Sequence, residues 1–162
     1  MGIGHDTYAY RRHLPHLQRA LATYTVAFAT RYRRVLPAQA RDLVLACCVD
    51  EHQVSCWLHV AVVMPDHVHL MLTLYQEWTL DDVLKGIKGV SSRRANQLLK
   101  RRGTLWEEES FDRIVRSDED LIRKGEYILN NPVRAGLVSR YEDYAWLWCS
   151  WRTSDAVSGD ED

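Results

Sequence analysis

Two apolar, β-prone runs joined by a short turn constrain the fold of this chain most strongly. The runs "VSCWLHVAVVM" and "HVHLMLTL" occupy residues 54–64 and 67–74, and Pro65 and Asp66 lie between them. Runs of this length that are rich in valine and aromatic residues are typical of strands, and a Pro-Asp pair is typical of a turn. The sequence therefore predicts that the two runs pair as an antiparallel β-hairpin.

Similar patterns on either side of the hairpin predict the remaining elements. Two further strands are expected at residues 22–30 and 111–117, and helices at 37–52, 79–103 and 117–132. The residues expected at helix boundaries are Pro37 in a first turn, Thr79 and Ser117 as N-caps, and Gly103 and Pro132 at the ends. The resulting order is strand, helix, strand, strand, helix, strand and an extra helix. It predicts an α+β, ferredoxin-like split βαβ fold, with helices on one face of an antiparallel sheet and an extra tyrosine-bearing helix.

The size and composition of the chain limit the class of protein to which it can belong. With 162 residues it suits one compact domain, expected at residues 1–152, with an acidic tail at 153–162 that we expect to be disordered. Charged residues interrupt each apolar run before it could cross a membrane, and the four cysteines fit no zinc-finger spacing. We therefore expect a cytoplasmic protein with reduced thiols. The net charge of −1 indicates nothing about a nucleic-acid partner.

Two histidines stand out in the second run of the hairpin. Side chains alternate across a strand, so His67 and His69 are predicted to share one face, and Val68, Leu70 and Leu72 the helix-covered core face. Two imidazoles on one face can bind a metal ion. The alternative is a pair of half-exposed histidines bonded to backbone or water.

The segment "GEYILNNP" supplies a second candidate group. Tyr127 and Asn131 are four residues apart, which would place them on one face of a continuous helix. A tyrosine hydroxyl near a bound cation can attack a phosphodiester, and the amide of Asn131 can add an oxygen ligand. The alternative for Tyr127 is a ring packed on the sheet.

Local charge suggests a polyanionic partner. The stretch "KGIKGVSSRRANQLLKRRG" holds seven Lys or Arg and no acid, and "YRRH" and "RYRR" are further basic clusters. A solvated helix face is the ordinary alternative. The residues that we predict to contact DNA are Arg11, Arg12, Lys85, Lys88, Arg93, Arg94 and Arg113. Arg116 also flanks the strand at 111–117. Trp78 and Trp106 are either stacking platforms for DNA bases or buried core residues.

Two of these segments resemble a known family. "MPDHVHLML" resembles the HUH motif (His, bulky hydrophobic, His) of the single-tyrosine transposases. "FDRIVRSDEDLIRKGEYILNNPVRAGLV" resembles their tyrosine-helix block. The branch that the sequence most resembles is the REP-associated tyrosine transposases, which are linked to repetitive extragenic palindromes in bacteria. The resemblance covers roughly residues 8–150.

The resemblance implies a complete chemistry. A divalent cation, Mg2+ or Mn2+, would be bound by His67, His69 and Asn131, and Tyr127 would be the nucleophile. The substrate would be single-stranded DNA folded into a hairpin and cut beside its foot, with the 5′ phosphate kept on the tyrosine. The branch also favours a monomer over a homodimer that shares the tyrosine helix.

Two functions without catalysis are left open as alternatives. One is a catalytically silent protein that binds DNA or RNA hairpins, and the other is a regulatory module without nucleic acid. Two residues depart from expectation. Asp66 stands where many relatives have Asn, and it either orients a histidine or only forms the turn. Gly125 marks either a hinge or close packing in the tyrosine helix.

Overall fold

Five antiparallel strands form one sheet in a computed structural model that describes residues 22–151. The strands are β1 (Thr23–Ala29), β2 (Cys56–Val63), β3 (His67–Leu74), β4 (Phe111–Val115) and β5 (Leu147–Cys149). They lie in the order β4-β1-β3-β2-β5, so the predicted hairpin of β2 and β3 is confirmed and lies within the sheet. The α+β class and the order of the predicted elements are also confirmed. The sequence did not predict β5, which the aromatic C-terminal segment contributes.

Within residues 22–151 four α-helices accompany the sheet, and the first three lie near predicted positions. They are α1 (Ala38–Asp50), α2 (Leu80–Leu99), α3 (Asp118–Leu129) and the short α4 (Asn131–Arg134). The predicted caps are confirmed. The Thr79 hydroxyl accepts from the Asp82 amide at 3.1 Å, and the Ser117 hydroxyl from the Asp120 amide at 3.2 Å. Each cap satisfies an amide that has no partner within its helix.

Three predicted helix boundaries are wrong by a few residues. Pro37 is the N-cap of α1 and does not lie in its first turn. Helix α2 ends at Leu99, before Gly103, because Lys100 adopts a left-handed conformation with φ of 52°. Helix α3 ends at Leu129, and Pro132 lies in the first turn of α4, where a residue without an amide hydrogen is tolerated.

One face of the sheet forms a closed apolar core under α1 and α2. Val68, Leu70 and Leu72 of β3 are fully buried there, as the alternation of that strand predicts. The helices contribute apolar side chains to the same cluster, among them Val44 of α1 and Ile87 of α2. This face therefore supplies the main hydrophobic stabilisation of the domain.

The tyrosine-bearing helix α3 packs on the opposite face. Its Leu121 and Ile128 join Val62 and Met71 in a second, smaller cluster. A Cβ atom at Gly125 would lie 3.0 Å from the Met71 Cε atom, so the glycine allows α3 to approach the sheet closely. Close packing, and not a hinge, is therefore the role that the structure gives Gly125.

Several predictions concern parts of the chain outside the described residues. They are the two domain boundaries, the acidic tail, and the DNA contacts of Arg11 and Arg12. Within the described range, no helix has both the length and the apolar character needed to span a membrane. The four cysteines are buried, and no disulfide joins any two of them.

Candidate active site

The two histidines lie side by side on the face of the sheet that α3 covers. In the strand register, His67 is opposite Ala29 and His69 is opposite Ala27. The alanines are short, so they leave space above the sheet beside the imidazoles. The two ring centroids are 4.8 Å apart and the rings are nearly perpendicular. The predicted common face of the pair is therefore confirmed.

Asp66 fixes the orientation of the first histidine. Its Oδ1 lies 2.7 Å from Nδ1 of His67, so the carboxylate accepts the Nδ1 hydrogen and leaves the lone pair on Nε2. A carboxylate behind a histidine is the usual second partner of a metal-binding imidazole. The Arg33 guanidinium lies 3.8 Å from the other carboxylate oxygen. Asp66 is therefore more than a turn residue, because it sets the tautomer of His67.

His69 is kept neutral by its surroundings. Burial is the main cause that lowers the pKa of His69 to about 4, with smaller contributions from the neighbouring His67 and Arg134. An imidazole must be neutral to donate a lone pair to a metal ion. The two histidines therefore fit the donor set that a divalent cation would require.

Tyr127 projects into a cleft that His69 also lines. The tyrosine lies in the last turn of α3 and is 63% exposed, so its ring is not packed on the sheet. The cleft has a volume of about 470 Å³. Arg113 of β4 and Lys124 of α3 contribute cationic side chains to its wall. The structure thus brings together a tyrosine, a histidine and two cations, and of these Lys124 was not predicted from the sequence.

Phe111 forms an apolar lip of the same cleft. It is opposite Ala27 on β1, and Ala27 is opposite His69 on β3, so the three residues form one row across the sheet. Two strand spacings separate Phe111 from His69, which is about 10 Å. Phe111 is 74% exposed. The sequence analysis missed this residue, although alternation along β4 places it on the same face as Arg113.

The predicted third metal ligand is only partly in place. The chain leaves the helical path after Leu129, so Asn131 begins α4 and does not share a continuous helix with Tyr127, contrary to the prediction. The Asn131 Oδ1 atom accepts a hydrogen bond from Arg134 at 2.8 Å. The Nδ2 atom is buried with no hydrogen-bond partner among the described residues. Among residues 22–151, no cluster of three or more His, Cys, Asp or Glu side chains could form an alternative metal site.

Arg134 connects Tyr127 to Asn131. Its guanidinium donates to the Tyr127 carbonyl at 2.7 Å, and the guanidinium carbon lies 3.7 Å from the centre of the tyrosine ring. The carbonyl would otherwise lack a partner at the end of α3. Arg134 was not predicted from the sequence. Its position seven residues after Tyr127, inside the same tyrosine-helix block, was the signal that could have found it.

The other predicted DNA contacts lie away from the cleft. Helix α2 carries Lys85, Lys88, Arg93 and Arg94, and it packs on the face opposite the histidines. Lys88 donates to the carbonyl oxygens of Glu107 and Glu108, and a DNA contact stays a prediction for it. The DNA contacts of Lys85, Arg93 and Arg94 stay predictions.

The two candidate stacking tryptophans behave differently. Trp106 is buried, and its indole donates to the Ser91 hydroxyl at 2.9 Å, which contradicts a stacking role. Trp78 is 41% exposed. Arg116 is exposed just beyond β4, and a contact with DNA stays a prediction for it.

Comparison with known proteins identifies the family. The family model described as "Transposase IS200 like" matches residues 18–131. The chain belongs to the IS200-like transposase family. The family consists of transposases, enzymes that act on DNA, and its match includes both histidines, Tyr127 and Asn131. This membership bears out the resemblance on which the sequence analysis relied.

Individual relatives point to the same family. A candidate REP-associated tyrosine transposase from Haemophilus influenzae is 26% identical over 96 residues. The match covers 52% of this chain and 53% of that protein, so the chain spans about half the length of the curated relative that it matches.

Two solved structures share the fold. A REP-associated tyrosine transposase bound to a REP hairpin superposes with a TM-score of 0.64 at 19% identity, covering 87% of this chain and 88% of its own. A candidate transposase from Deinococcus radiodurans R1 superposes with a TM-score of 0.51 at 28% identity, covering 68% of this chain and 90% of its own. The first similarity shows the fold alone.

Proposed function

We propose that this protein is a metal-dependent endonuclease and strand transferase for single-stranded DNA, which it cuts beside the foot of a palindromic hairpin. One observation carries the proposal. Tyr127 and His69 line the same cleft, and Arg113 and Lys124 add positive charge to its wall. A nucleophile, a candidate metal ligand and two cations are the groups that attack on a phosphodiester requires.

In the proposed reaction, Tyr127 attacks the scissile phosphorus. A bond forms between phosphorus and the Oη atom, and the bond between phosphorus and the 3′ oxygen breaks. The phenol proton passes to water, and the departing 3′ oxygen takes up a proton. The product is a 5′-phosphotyrosine and a free 3′ hydroxyl. The reverse reaction with another 3′ hydroxyl joins strands without an external energy source, because one phosphoester replaces another.

The cation would bind to His67 and His69, whose lone pairs are available for it. When bound, Mg2+ or Mn2+ would neutralise charge on the phosphate oxygens and polarise them. Asn131 is the proposed third ligand, and its oxygen now accepts a bond from Arg134.

Other residues of the cleft would hold the substrate. Arg113 and Lys124 would neutralise the phosphates on either side of the cut. Phe111 would stack on an unpaired base, since stacking on aromatic side chains is how proteins bind single strands without strict sequence preference. Arg134 would hold the Tyr127 ring in position through its contact with the ring face. A hairpin substrate is supported by the structural relative that is bound to a REP hairpin.

The arrangement supports a monomeric enzyme. Tyr127 and His69 of the same chain share the cleft, so the site needs no tyrosine helix from a second subunit. We therefore propose that one chain carries out the cut.

A second candidate function is supported by one specific contact. The bond from Arg134 to the Asn131 oxygen engages the predicted third ligand. A protein that never releases this bond would bind DNA hairpins without cutting them. A catalytically silent hairpin-binding protein is therefore the alternative.

The test is formation of a covalent protein–DNA adduct. The protein is incubated with labelled single-stranded hairpin oligonucleotides taken from repeats near its own gene, with Mn2+, with Mg2+ or with a chelator. A denaturing gel then resolves any adduct. We expect an adduct that requires the cation, disappears in Tyr127→Phe and is lost in His67→Ala.

The control is Tyr75→Phe, which removes the hydroxyl of a half-buried tyrosine just after β3 and should leave the adduct unchanged. An adduct that persists in Tyr127→Phe would show that another nucleophile acts. Retarded DNA without an adduct, across several hairpins and both cations, would favour the silent binding protein.

A further inference from the structure

The turn after β1 presents an aromatic side chain to solvent at a conformational cost. Tyr32 is 73% exposed, and both Tyr32 and Arg33 have positive φ, at 60° and 51°. Bulky residues rarely adopt this region, and each such residue costs about 1–3 kcal/mol. Because the Tyr32 ring is exposed, burial of that ring does not offset the cost. A strained residue of this kind points to a function for the turn.

Hydrogen bonds hold the turn in this conformation. The Arg31 amide donates to the Leu105 carbonyl at 2.8 Å, and the Tyr32 amide donates to the Glu107 carboxylate at 3.2 Å. The Thr30 hydroxyl donates to the Arg34 carbonyl at 2.7 Å and closes the turn. The aromatic ring is therefore presented by a fixed backbone.

Two arginines flank the exposed ring, and a third lies beside them in the turn. The guanidinium carbons of Arg31 and Arg34 lie 5.1 and 5.9 Å from the centre of the Tyr32 ring. Arg33 extends toward Asp66. An exposed aromatic face flanked by cations matches the chemistry of a nucleotide, in which a base can stack on the ring while its phosphates meet the guanidinium groups.

The turn is linked directly to the histidine site. The Thr30 amide donates to the Asp66 carbonyl at 2.9 Å, and the Asp66 carboxylate accepts from His67. Ala29 at the end of β1 is opposite His67, so the turn lies at the end of the sheet where the histidines begin β3. Through Asp66, which contacts both Arg33 and His67, the turn therefore lies close to the histidine pair.

We propose that residues Arg31–Arg34, the arginine–tyrosine turn, form a second contact for the single-stranded DNA that flanks the hairpin. One unpaired base stacks on Tyr32, and Arg31 and Arg34 bind the adjacent phosphates. Paired bases in a duplex keep their faces covered by their neighbours, so the turn selects unpaired nucleotides. The proposal rests on the proposed function for the identity of the substrate, but it does not require cleavage.

The test measures DNA binding in the presence of a chelator, so that metal-dependent cleavage plays no part. Fluorescence anisotropy compares one hairpin with a single-stranded flank on its 5′ side and the same hairpin without a flank. Tyr32→Gly is the main variant, because glycine adopts positive φ readily and should not harm folding. We expect it to bind the flanked hairpin about tenfold more weakly. Its affinity for the unflanked hairpin should not change.

Two control variants separate stacking from other effects. Tyr32→Phe keeps the ring and should bind within about twofold of the wild type, in line with sequence-tolerant stacking. Val35→Ala truncates a neighbouring exposed side chain and should have no effect. The Arg31→Gln, Arg34→Gln double variant should reduce the slope of log affinity against log salt by about 0.7 for each phosphate that it no longer binds.

Other outcomes would overturn the proposal. Equal affinity of Tyr32→Gly and the wild type for the flanked hairpin would overturn it. An equal loss of affinity for the flanked and the unflanked hairpin in Tyr32→Gly would overturn it as well. A loss of affinity in Tyr32→Phe as large as that in Tyr32→Gly would also do so. Absence of single-strand binding by the wild type would leave the turn as a contact for a protein partner instead. Failure of the proposed function looks different, since the wild type would then bind the flanked hairpin through Tyr32 but form no adduct with either cation.

Discussion

The two faces of the sheet are built from the same strands and serve different purposes. Under α1 and α2, Val68, Leu70 and Leu72 of β3 are fully buried among apolar side chains. On the other face, His67 and His69 of the same strand lie beside a cleft that α3 covers only in part. One face can therefore stabilise the domain while the other tolerates polar groups and open space.

This difference explains how a small domain can hold costly groups. Neutral buried imidazoles and a strained turn all reduce stability, and a closed core on the opposite face compensates for them. The comparison can be tested by changing neighbouring residues whose side chains lie on opposite faces.

The largest contrast is expected between adjacent residues of β3. Leu70→Ala should lower the free energy of unfolding by about 2–5 kcal/mol, because it leaves a cavity in the closed core. His69→Ala should abolish the cation-dependent adduct while lowering stability by less than about 1 kcal/mol. Urea denaturation and the adduct gel measure the two effects. Similar stability losses in both variants would show that the faces do not differ in this way.

The pH dependence of stability should report His59, a buried imidazole on the face of the sheet that α3 covers. Burial lowers its pKa to about 3, and its Nε2 lies 2.7 Å from the Thr73 hydroxyl. The unfolded chain binds a proton near pH 6.5, while the folded chain resists protonation until about pH 3, so stability falls as the pH drops through this range. Between about pH 7 and pH 5 we expect a loss of about 2 kcal/mol from this group.

Denaturant titrations at several pH values would measure the His59 effect. Between about pH 7 and pH 5, His59→Gln should lose less stability than the wild type, and the difference should be about 2 kcal/mol. An unchanged pH dependence in the variant would show that His59 does not make this contribution.

A smaller effect is expected from the contact between Arg134 and Tyr127. Arg134→Lys keeps the positive charge but loses the paired bonds to the Tyr127 carbonyl and the Asn131 amide, together with the flat stack on the ring. We expect the rate of adduct formation at saturating DNA to fall about tenfold, with little change in DNA affinity. A faster rate would mean that Arg134 restrains the site by engaging Asn131. Single-turnover kinetics distinguish the two results.

The smallest effects are expected from the two helix caps. Thr79→Ala and Ser117→Ala each remove one hydroxyl bond at a helix start and should each lower stability by about 1 kcal/mol. Only Ser117→Ala should also slow adduct formation, because α3 carries Tyr127. Equal effects of both variants on the rate would indicate that the caps act through global stability.

The sequence by itself determined the local structure and indicated the candidate site residues. Alternation along β3 separates the histidines from Val68 and Leu70, and hydroxyl residues before acidic turns mark the starts of α2 and α3. These features depend on residues close together in the chain, whose spacing fixes their geometry. The motif around Tyr127 likewise indicated the family before any distance was known.

Only the tertiary structure decided which groups meet. It placed α3 on the face opposite α2, which brought Tyr127 to His69 and left Lys85 and Arg93 on the far side of the sheet. It also added β5, and it set Arg134 against the Tyr127 ring. These arrangements depend on packing between segments that are distant in the chain. A residue pattern therefore does not contain them, because it records spacing along one segment and not the contacts between segments.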